Sequence, residues 1–212
     1  MNFRLHVLVD PAQVALDQIG TFCEALATGG ATIVQLRGKR ASGRELVTFG
    51  AVLRRETRRT GLGLIVNDRV DIALAIEADG VHVGQDDIPV PLVRRLAPHL
   101  VVGLSVGNHQ ELVVARAHRP DYIGMGPVYP TASKADAGPA LGIEGFKTLR
   151  AEAAEVAPVV AIGGIGVDNV MAVWQAGADG IAVISAVMNA DNKAEACRRL
   201  VEHYSSRETL SK

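Results

Sequence analysis

Short apolar segments and amphipathic segments alternate along the whole chain, and this alternation predicts its secondary structure. The apolar segments are rich in Val, Ile and Leu, which is typical of strands that a parallel sheet buries on both faces. Between them, apolar residues recur three and four positions apart, the spacing of a helix with one buried face. The pattern predicts eight strand–helix units, with strands at residues 5–9, 31–37, 64–66, 80–84, 101–106, 122–126, 159–164 and 180–185.

Capping-box sequences at residues 10–13, 42–45 and 108–111 mark the starts of three of the helices. The first helix is predicted to begin at Pro11, after the N-cap Asp10, and to end at Gly29. The third is predicted to begin after Asp68 and to end at Asp79. Their buried faces are predicted to consist of Val14, Leu16, Ile19 and Phe22 in the first helix, and Val70, Ala73 and Leu74 in the third.

Eight alternating units, each returning with a right-handed crossover to the next parallel strand, favour a closed (β/α)8 barrel, or TIM barrel, over an open sheet. A chain of 212 residues suits a single domain of this α/β class. We expect the barrel to span residues 1–204 and residues 205–212 to form a polar C-terminal tail.

Composition and charge exclude several classes of partner. A net charge of −1 without a basic stripe argues against nucleic acids and anionic membrane surfaces. The apolar runs fall far short of the roughly 20 residues that a bilayer span needs, and the first is too short for the core of a signal peptide. We therefore expect a cytoplasmic protein, with homo-oligomer formation left open. Cys23 and Cys197 are predicted to be packing residues, because they have neither the number nor the spacing of a disulfide framework or metal site.

Two acidic turns follow neighbouring predicted strands, the third and the fourth. Asp68 and Asp87 are therefore expected at the carboxyl ends of adjacent parallel strands. They could bind Mg²⁺, which is usually held by one or two carboxylates together with substrate phosphates. Equally, Asp68 could cap the helix that follows it, and Asp87 could be an ordinary loop residue. The two residues by themselves favour this second interpretation, because capping acids are common.

The second predicted strand carries cations on one face. By its period of two, Gln35, Arg37 and Lys39 share a face, whereas Val34 and Leu36 point toward the helices. Two cations and an amide at the carboxyl end of a strand are costly unless an anion meets them. Arg37 and Lys39 are therefore predicted to bind phosphate, although Lys39 taken alone could be a solvated loop charge.

A long loop follows the sixth predicted strand, and no helical pattern returns until after Gly142. Loops of this length in a compact barrel are usually functional. Thr131, Ser133 and Lys134 offer two hydroxyls and a cation that suit a phosphate. Taken alone, the loop could also be a plain surface connection rich in turn residues.

The seventh and eighth strands end in small residues, Gly163–Gly164 and Ser185. Barrels of this class commonly bind a phosphate after these two strands, through backbone N–H groups. The sequence thus predicts two anion sites, of which the one with Asp68 and Asp87 would also hold a metal. A diphosphate with Mg²⁺ beside a separate monophosphate suggests an enzyme that joins two phosphorylated molecules with loss of diphosphate.

Together these residues form motifs that resemble those of the thiamine phosphate synthase family over nearly the full length of the chain. The family's Gln-x-Arg-x-Lys corresponds to residues 35–39, its Asn-Asp to residues 67–68 and its Gly-Gln-x-Asp to residues 84–87. Its Gly-Pro-x-x-Pro-Thr-x-Thr-Lys loop corresponds to residues 126–134, with Ser133 for the second threonine. The serine of its fifth strand is Ser105, and its Gly-Gly and Ile-Ser pairs are residues 163–164 and 184–185.

The resemblance implies a Mg²⁺-dependent coupling of hydroxymethylpyrimidine diphosphate to a thiazole phosphate. In the family, diphosphate leaves first and the thiazole nitrogen captures the pyrimidine cation; a carboxylated thiazole would lose carbon dioxide afterwards. The implied pyrimidine diphosphate site is Gln35, Arg37, Lys39, Asn67, Ser105 and Lys134, with Arg37, Lys39, Ser105 and Lys134 as its catalytic residues. The implied thiazole phosphate site is Thr131, Ser133, Gly164, Ile184 and Ser185, and the implied Mg²⁺ ligands are Asp68 and Asp87. Because this chemistry needs no strong protein base, His82 and His109 are predicted to be packing and surface residues.

The chain departs from the family pattern at Gly38, where an acid is usual, and at Gly107, two residues after the serine, where a histidine is common. Related thiazole tautomerases of the same barrel resemble this chain but use that histidine, so Gly107 argues against this alternative, as does the full set of diphosphate-binding residues. A second alternative, a non-catalytic barrel that binds a phosphorylated ligand, is disfavoured by the intact pair of acids.

Overall fold

The computed structural model describes residues 1–131 and 138–204. Eight parallel strands form a closed barrel in chain order, which confirms the predicted (β/α)8 fold. The strands are β1 (Leu5–Val9), β2 (Ile33–Leu36), β3 (Gly63–Asn67), β4 (Gly80–Val83), β5 (Val101–Val106), β6 (Tyr122–Met125), β7 (Val159–Ile162) and β8 (Gly180–Val183). The helices are α1 (Ile19–Thr28), α2 (Gly43–Thr60), α3 (Val70–Ala75), α4 (Val90–Leu96), α5 (His109–His118), α6 (Gly142–Glu152), α7 (Val170–Gln175), α8 (Ser185–Met188) and α9 (Lys193–Val201).

Strand side chains alternate between two apolar cores. Val34 and Leu36 point outward and pack in the large core between the barrel and its helices. Ile33 belongs to a smaller cluster inside the barrel, together with Ile65 of the neighbouring strand. The predicted alternation of β2 is thereby confirmed, and it directs the polar residues that follow Ile33 at two-residue spacing to the inside.

At the amino-terminal end of the barrel, an aspartate before each of the strands β4, β6 and β8 ties neighbouring strands together. The carboxylates of Asp79, Asp121 and Asp179 accept hydrogen bonds from the backbone N–H groups of Leu64, Val102 and Val159 at 2.8, 2.7 and 2.9 Å. Each carboxylate also pairs with an arginine, namely Arg54, Arg94 and Arg150. We call these three acids the aspartate anchors. Their position indicates a structural role, since this end of a TIM barrel serves stability rather than catalysis.

The first helix begins later than predicted. Asp10 does form the predicted capping box, but it caps only a 3₁₀ turn, Pro11–Gln13. Val14 then adopts an extended backbone and is buried, whereas Leu16, predicted on the buried face, is 48% exposed. Insertion of Val14 into the core therefore interrupts the helix, and α1 starts only at Ile19.

The third helix ends earlier than predicted. Val70 and Ala73 are buried as expected, but Leu74 is 40% exposed, and Ile72 takes its place on the buried face. The helix ends at Ala75, and Glu77 adopts a left-handed backbone with a φ of 52°. The segment before β4 is consequently free to place Asp79 as an anchor rather than as the last residue of a helix.

The two cysteines pack in the core. Cys23 and Cys197 are buried, and burial raises the pKa of each thiol to about 12, as suits packing residues. Among the helices of residues 1–131 and 138–204, none has the length and apolar character needed to cross a membrane.

Candidate active site

A cavity of about 440 Å³ opens at the carboxyl ends of the strands, the end at which barrels of this class carry their active sites. Its volume is in the range of small-molecule sites. All predicted site residues that the structure describes line it: Gln35, Arg37, Lys39, Asn67, Asp68, Asp87, Ser105, Thr131, Gly164, Ile184 and Ser185. Ser133 and Lys134, which were also predicted, lie outside the described residues.

Asp68 does not cap the helix that follows it. The N-cap position of α3 belongs to Arg69, and no side chain caps this helix. Instead, Asp68 Oδ2 lies 2.7 Å from Lys39 Nζ, which joins the loop after β3 to the loop after the neighbouring strand β2. The capping interpretation of Asp68 is therefore wrong, and Lys39 is not merely a solvated loop charge.

Asp87 lies beside Asp68 and completes a pair of neighbouring carboxyls. Its Oδ2 accepts a hydrogen bond from the backbone N–H of Gly84 at 2.7 Å. Burial raises the pKa of the Asp87 carboxyl, and the charge of Asp68 raises it further, against the opposing effects of the Gly84 N–H and Lys39. Two adjacent carboxylates repel each other unless a proton or a cation lies between them, so the pair fits a divalent ion.

The two carboxylates suit Mg²⁺ better than they suit a metal ion whose ligands all come from the protein. Within the described part of the chain, no group of three or more His, Cys, Asp or Glu side chains is placed to hold a metal ion. Mg²⁺ tolerates such a sparse set, because it keeps several waters and takes further oxygens from substrate phosphates. The residues present therefore fit a Mg²⁺ ion that is completed by a phosphorylated ligand.

Acidic groups outnumber basic groups among the described residues that line the cavity. The carboxylates of Asp68, Asp86, Asp87 and Glu111 line it together with the cations of Arg37 and Lys39. Lys39 is already paired with Asp68. A phosphorylated ligand would be repelled by this set unless a cation accompanied it. The charge balance thus independently favours a metal at the acid pair.

Ser105 is held in place from two sides inside the barrel. The Gln85 side-chain amide donates a hydrogen bond to the Ser105 carbonyl at 2.6 Å. His82 Nε2 lies 2.9 Å from Ser105 Oγ, and His82 Nδ1 lies 2.9 Å from the Tyr122 hydroxyl. His82, predicted to be a packing residue, instead lines the cavity. His109, as predicted, is on the surface, where it contacts Glu152.

Glycines on the neighbouring strands make room for the His82 ring. A Cβ at Gly103 would lie 2.5 Å from His82 Nδ1, and a Cβ at Gly124 would lie 2.7 Å from His82 Cε1. The sequence does indicate that His82 points into the barrel. Side chains of a strand alternate between its two faces, so His82 points inward when Val81 and Val83 face the helices. Small residues at the facing positions of the next two strands indicate that there is space for its ring.

The opposite side of the mouth is built by a glycine turn, Gly163 and Gly164, and by the start of α8. Both glycines have positive φ angles, 101° and 64°, which only glycine adopts readily. Asn169, which the sequence did not suggest, holds this turn: its side chain accepts from the Gly166 N–H and donates to the Gly164 carbonyl, each at 2.9 Å. Ser185 is the first residue of α8, where N–H groups have no partner within the helix.

Both departures from the family pattern have structural counterparts. A Cβ at Gly38 would lie about 3 Å from the side chains of Leu46, Ala41 and Pro11. The side chains of Leu46, Ala41 and Pro11 therefore occupy the space into which a Cβ at residue 38 would project. Gly107 lines the cavity without a side chain and donates its N–H to Glu111 Oε2 at 2.7 Å.

Comparisons with known proteins agree with this geometry. The family model described as thiamine monophosphate synthase matches residues 5–187. A thiamine-phosphate synthase from Chloroflexus aurantiacus is 46% identical over 200 residues, which cover 94% of this chain and 92% of that protein. Another, from Moorella thermoacetica, is 50% identical over 175 residues, which cover 82% of each chain. The solved structure of thiamine phosphate pyrophosphorylase from Pyrococcus furiosus superposes with a TM-score of 0.84 at 38% identity and 97% coverage of both chains. The chain therefore belongs to the thiamine monophosphate synthase family.

Proposed function

We propose that the chain is a transferase that couples 4-amino-2-methyl-5-(diphosphooxymethyl)pyrimidine with a thiazole phosphate and releases thiamine phosphate and diphosphate. The observation that carries this proposal is the shared cavity: the acid pair with Lys39 and the glycine turn with Ser185 line opposite parts of one space. The names of the relatives described above support the same reaction.

The pyrimidine diphosphate would bind on the side of the cavity formed by β2 to β5. The proposed contacts are Gln35, Arg37, Lys39, Asn67, Ser105 and Lys134. When bound at Asp68 and Asp87, Mg²⁺ would neutralise charge on the diphosphate. Arg37 would meet the diphosphate as a planar fork, and within residues 1–131 and 138–204 it forms no salt bridge that would compete.

Bond breaking would precede bond making. The bond between the pyrimidine methylene and the diphosphate oxygen breaks, and its electron pair leaves with the diphosphate. The thiazole nitrogen then donates its lone pair to the methylene carbon, forming the new carbon–nitrogen bond. Arg37 and Lys39 would stabilise the charge that develops on the departing oxygen, and the cavity would hold the two rings in contact. If the thiazole carries a carboxylate, carbon dioxide leaves afterwards.

The thiazole phosphate would bind at Thr131, Ser133, Gly164, Ile184 and Ser185. The backbone N–H groups of the glycine turn and of the start of α8 would donate to phosphate oxygens, with the Ser185 hydroxyl as an additional donor. This site has no described carboxylate of its own, which suits a monophosphate that binds without a metal. One chain of residues 1–204 would carry both sites, and a cytoplasmic location remains our expectation.

The test is to mix the purified chain with both phosphorylated substrates and Mg²⁺. We expect thiamine phosphate and free diphosphate in equal amounts, and neither product when one substrate is omitted or Mg²⁺ is chelated. Interconversion of thiazole isomers without diphosphate release would instead identify a tautomerase. Binding of both ligands without turnover would identify a non-catalytic barrel.

A further inference from the structure

Three side chains that line the inner part of the cavity form a continuous hydrogen-bonded chain. The Tyr122 hydroxyl lies 2.9 Å from His82 Nδ1, and His82 Nε2 lies 2.9 Å from Ser105 Oγ. Tyr122 is 1% exposed, between the rings of Phe3 and His82. The two ring nitrogens of a neutral histidine have opposite roles, so the direction of one hydrogen bond fixes the direction of the other.

The buried tyrosine determines that direction. Burial strongly raises the pKa of Tyr122, so its hydroxyl keeps its proton. Within the described residues, His82 Nδ1 is the acceptor that the structure offers to this hydroxyl. A proton on Nδ1 would leave the buried hydroxyl hydrogen without an acceptor, which is unfavourable. Tyr122 therefore donates to Nδ1.

We propose that Tyr122 and His82 are positioning residues that fix the direction of the Ser105 hydroxyl. With Nδ1 accepting, His82 carries its proton on Nε2 and donates to Ser105 Oγ. The Ser105 hydrogen is then turned away from His82 and into the cavity, where it donates to the ligand. This inference rests on the proposed function, because it describes how the pyrimidine half of the site is oriented.

The surroundings of Ser105 identify what it would contact. Leu8, Val160 and Ala182 are buried side chains that line the same cavity from the inside of the barrel. Such walls suit an uncharged planar ring rather than a diphosphate, which belongs with the charged residues at the mouth. A hydroxyl donor beside these walls would pair with a ring nitrogen that accepts a hydrogen bond. The structure thus assigns Ser105 to a pyrimidine ring nitrogen.

The protonation state of His82 can be measured without substrate. Nitrogen-15 NMR of the histidine rings, with the His82 signals identified by their loss in His82→Gln, reports which nitrogen carries the proton. At a pH where the ring is neutral, we expect the proton of His82 on Nε2 in the wild-type chain. A neutral ring with its proton on Nδ1 would overturn the proposal whether or not the chain is active, because Nε2 would then accept the Ser105 hydrogen.

Kinetics then test whether the two residues act through Ser105. Tyr122→Phe should lower kcat/KM for the pyrimidine diphosphate about tenfold to a hundredfold, the usual effect of a misplaced catalytic contact, and leave KM for the thiazole phosphate unchanged. In a Ser105→Ala background the same substitution should cost less than about twofold, because the group that it orients is already absent.

Two further variants complete this experiment. His82→Gln should retain part of the activity, since a side-chain amide also presents one acceptor and one donor. His109→Gln is the matched control, because His109 is exposed and contacts only the surface Glu152 among its described hydrogen-bond partners; it should match the wild type. Equal losses from Tyr122→Phe in both backgrounds would show a general structural role and refute the proposal. A wild-type chain without coupling activity would count against the proposed function and leave the NMR result to stand by itself.

Discussion

Asp68 combines a left-handed backbone with a side chain that turns away from the helix it precedes. Its φ of 63° is unusual for a residue with a Cβ and costs about 1–2 kcal/mol. The backbone N–H of Asp68 donates to the His82 carbonyl at 2.7 Å, which holds this conformation. Strained residues that persist in this way concentrate at functional sites. Here the strain places a carboxylate against Lys39 and Asp87 rather than at a helix end.

Replacing Asp87 with Ala should abolish turnover and leave the fold intact. We expect kcat to fall at least about 100-fold, because one of two metal-binding carboxylates is lost. Folding should be little affected, since the substitution also removes the repulsion between the two acids. Steady-state kinetics and thermal unfolding measure the two effects.

Asp71→Ala is the matched control for this prediction. Asp71 is an exposed acid that pairs with Arg69 on the surface, so its loss should change neither kcat nor the Mg²⁺ requirement. An active Asp87→Ala enzyme would remove the metal assignment.

At the scale of elements, the loops after β2, β3 and β4 carry the charged half of the cavity, and the loops after β7 and β8 carry the neutral half. The predicted strands at residues 159–164 and 180–185 are shorter in the structure, since β7 ends at Ile162 and β8 at Val183. The residues left over form the glycine turn and the start of α8. Their backbone N–H groups are thus released from the sheet and available to an anion.

Replacing Ser185 with Ala should chiefly raise KM for the thiazole phosphate. Loss of one hydroxyl donor to a charged phosphate should raise it about tenfold. KM for the pyrimidine diphosphate should stay the same, because that substrate is assigned to the other side of the cavity. Kinetics with each substrate varied in turn separate the two, and a change confined to the pyrimidine substrate would contradict the assignment.

The aspartate anchors predict a stability effect without a catalytic effect. Asp79 accepts the Leu64 N–H and two bonds from Arg54, which is 14% exposed. Asp79→Ala should therefore lower the free energy of unfolding by about 2–3 kcal/mol, because it leaves a mostly buried cation and a backbone N–H without partners. Because Asp79 lies at the end opposite the cavity, kcat should not change.

Two controls sharpen the test of Asp79. Asp79→Asn keeps an oxygen for the Leu64 N–H and should cost less than Asp79→Ala. Glu77→Ala removes a salt bridge to Arg58 in which both side chains are more than half exposed, and it should cost less than about 0.5 kcal/mol. Urea unfolding of the three variants measures their free energies of unfolding. Equal losses of stability in Glu77→Ala and Asp79→Ala would refute the anchor role.

Over the whole molecule, the features that could be predicted are those with a local cause. The strand and helix periods depend on residues that are close in sequence, and eight successive units close into a barrel by general rules of topology. The motif residues could be placed at the mouth because strand ends share one edge. The surroundings of residues inside the barrel could not be predicted in the same way: whether His82 packs or lines a cavity depends on Gly103 and Gly124, which are distant in sequence. The interruption of the first helix at Val14 likewise depends on tertiary structure, because Val14 packs into the core.

His6 illustrates how such an interior position governs the stability of the whole barrel. It is fully buried, and neither ring nitrogen has a hydrogen-bond partner among the described residues. Burial, with a smaller contribution from His82, lowers the pKa of His6 from 6.5 to about 3. In the unfolded chain its pKa returns to the ordinary value near 6.5. Between these two values the unfolded state binds a proton that the folded state excludes, so stability falls as the pH drops below 6.5.

We therefore expect acid to destabilise the barrel through His6. Between pH 7 and pH 5 the contribution of His6 should fall by about 2 kcal/mol. Urea unfolding of the wild type and His6→Leu at both pH values measures this contribution together with its smaller electrostatic coupling to His82. His6→Leu should gain about 2 kcal/mol relative to the wild type on acidification. If the two free energies of unfolding run parallel from pH 7 to pH 5, the buried imidazole is not excluding a proton, and His6 must then meet water or a charge inside the folded barrel.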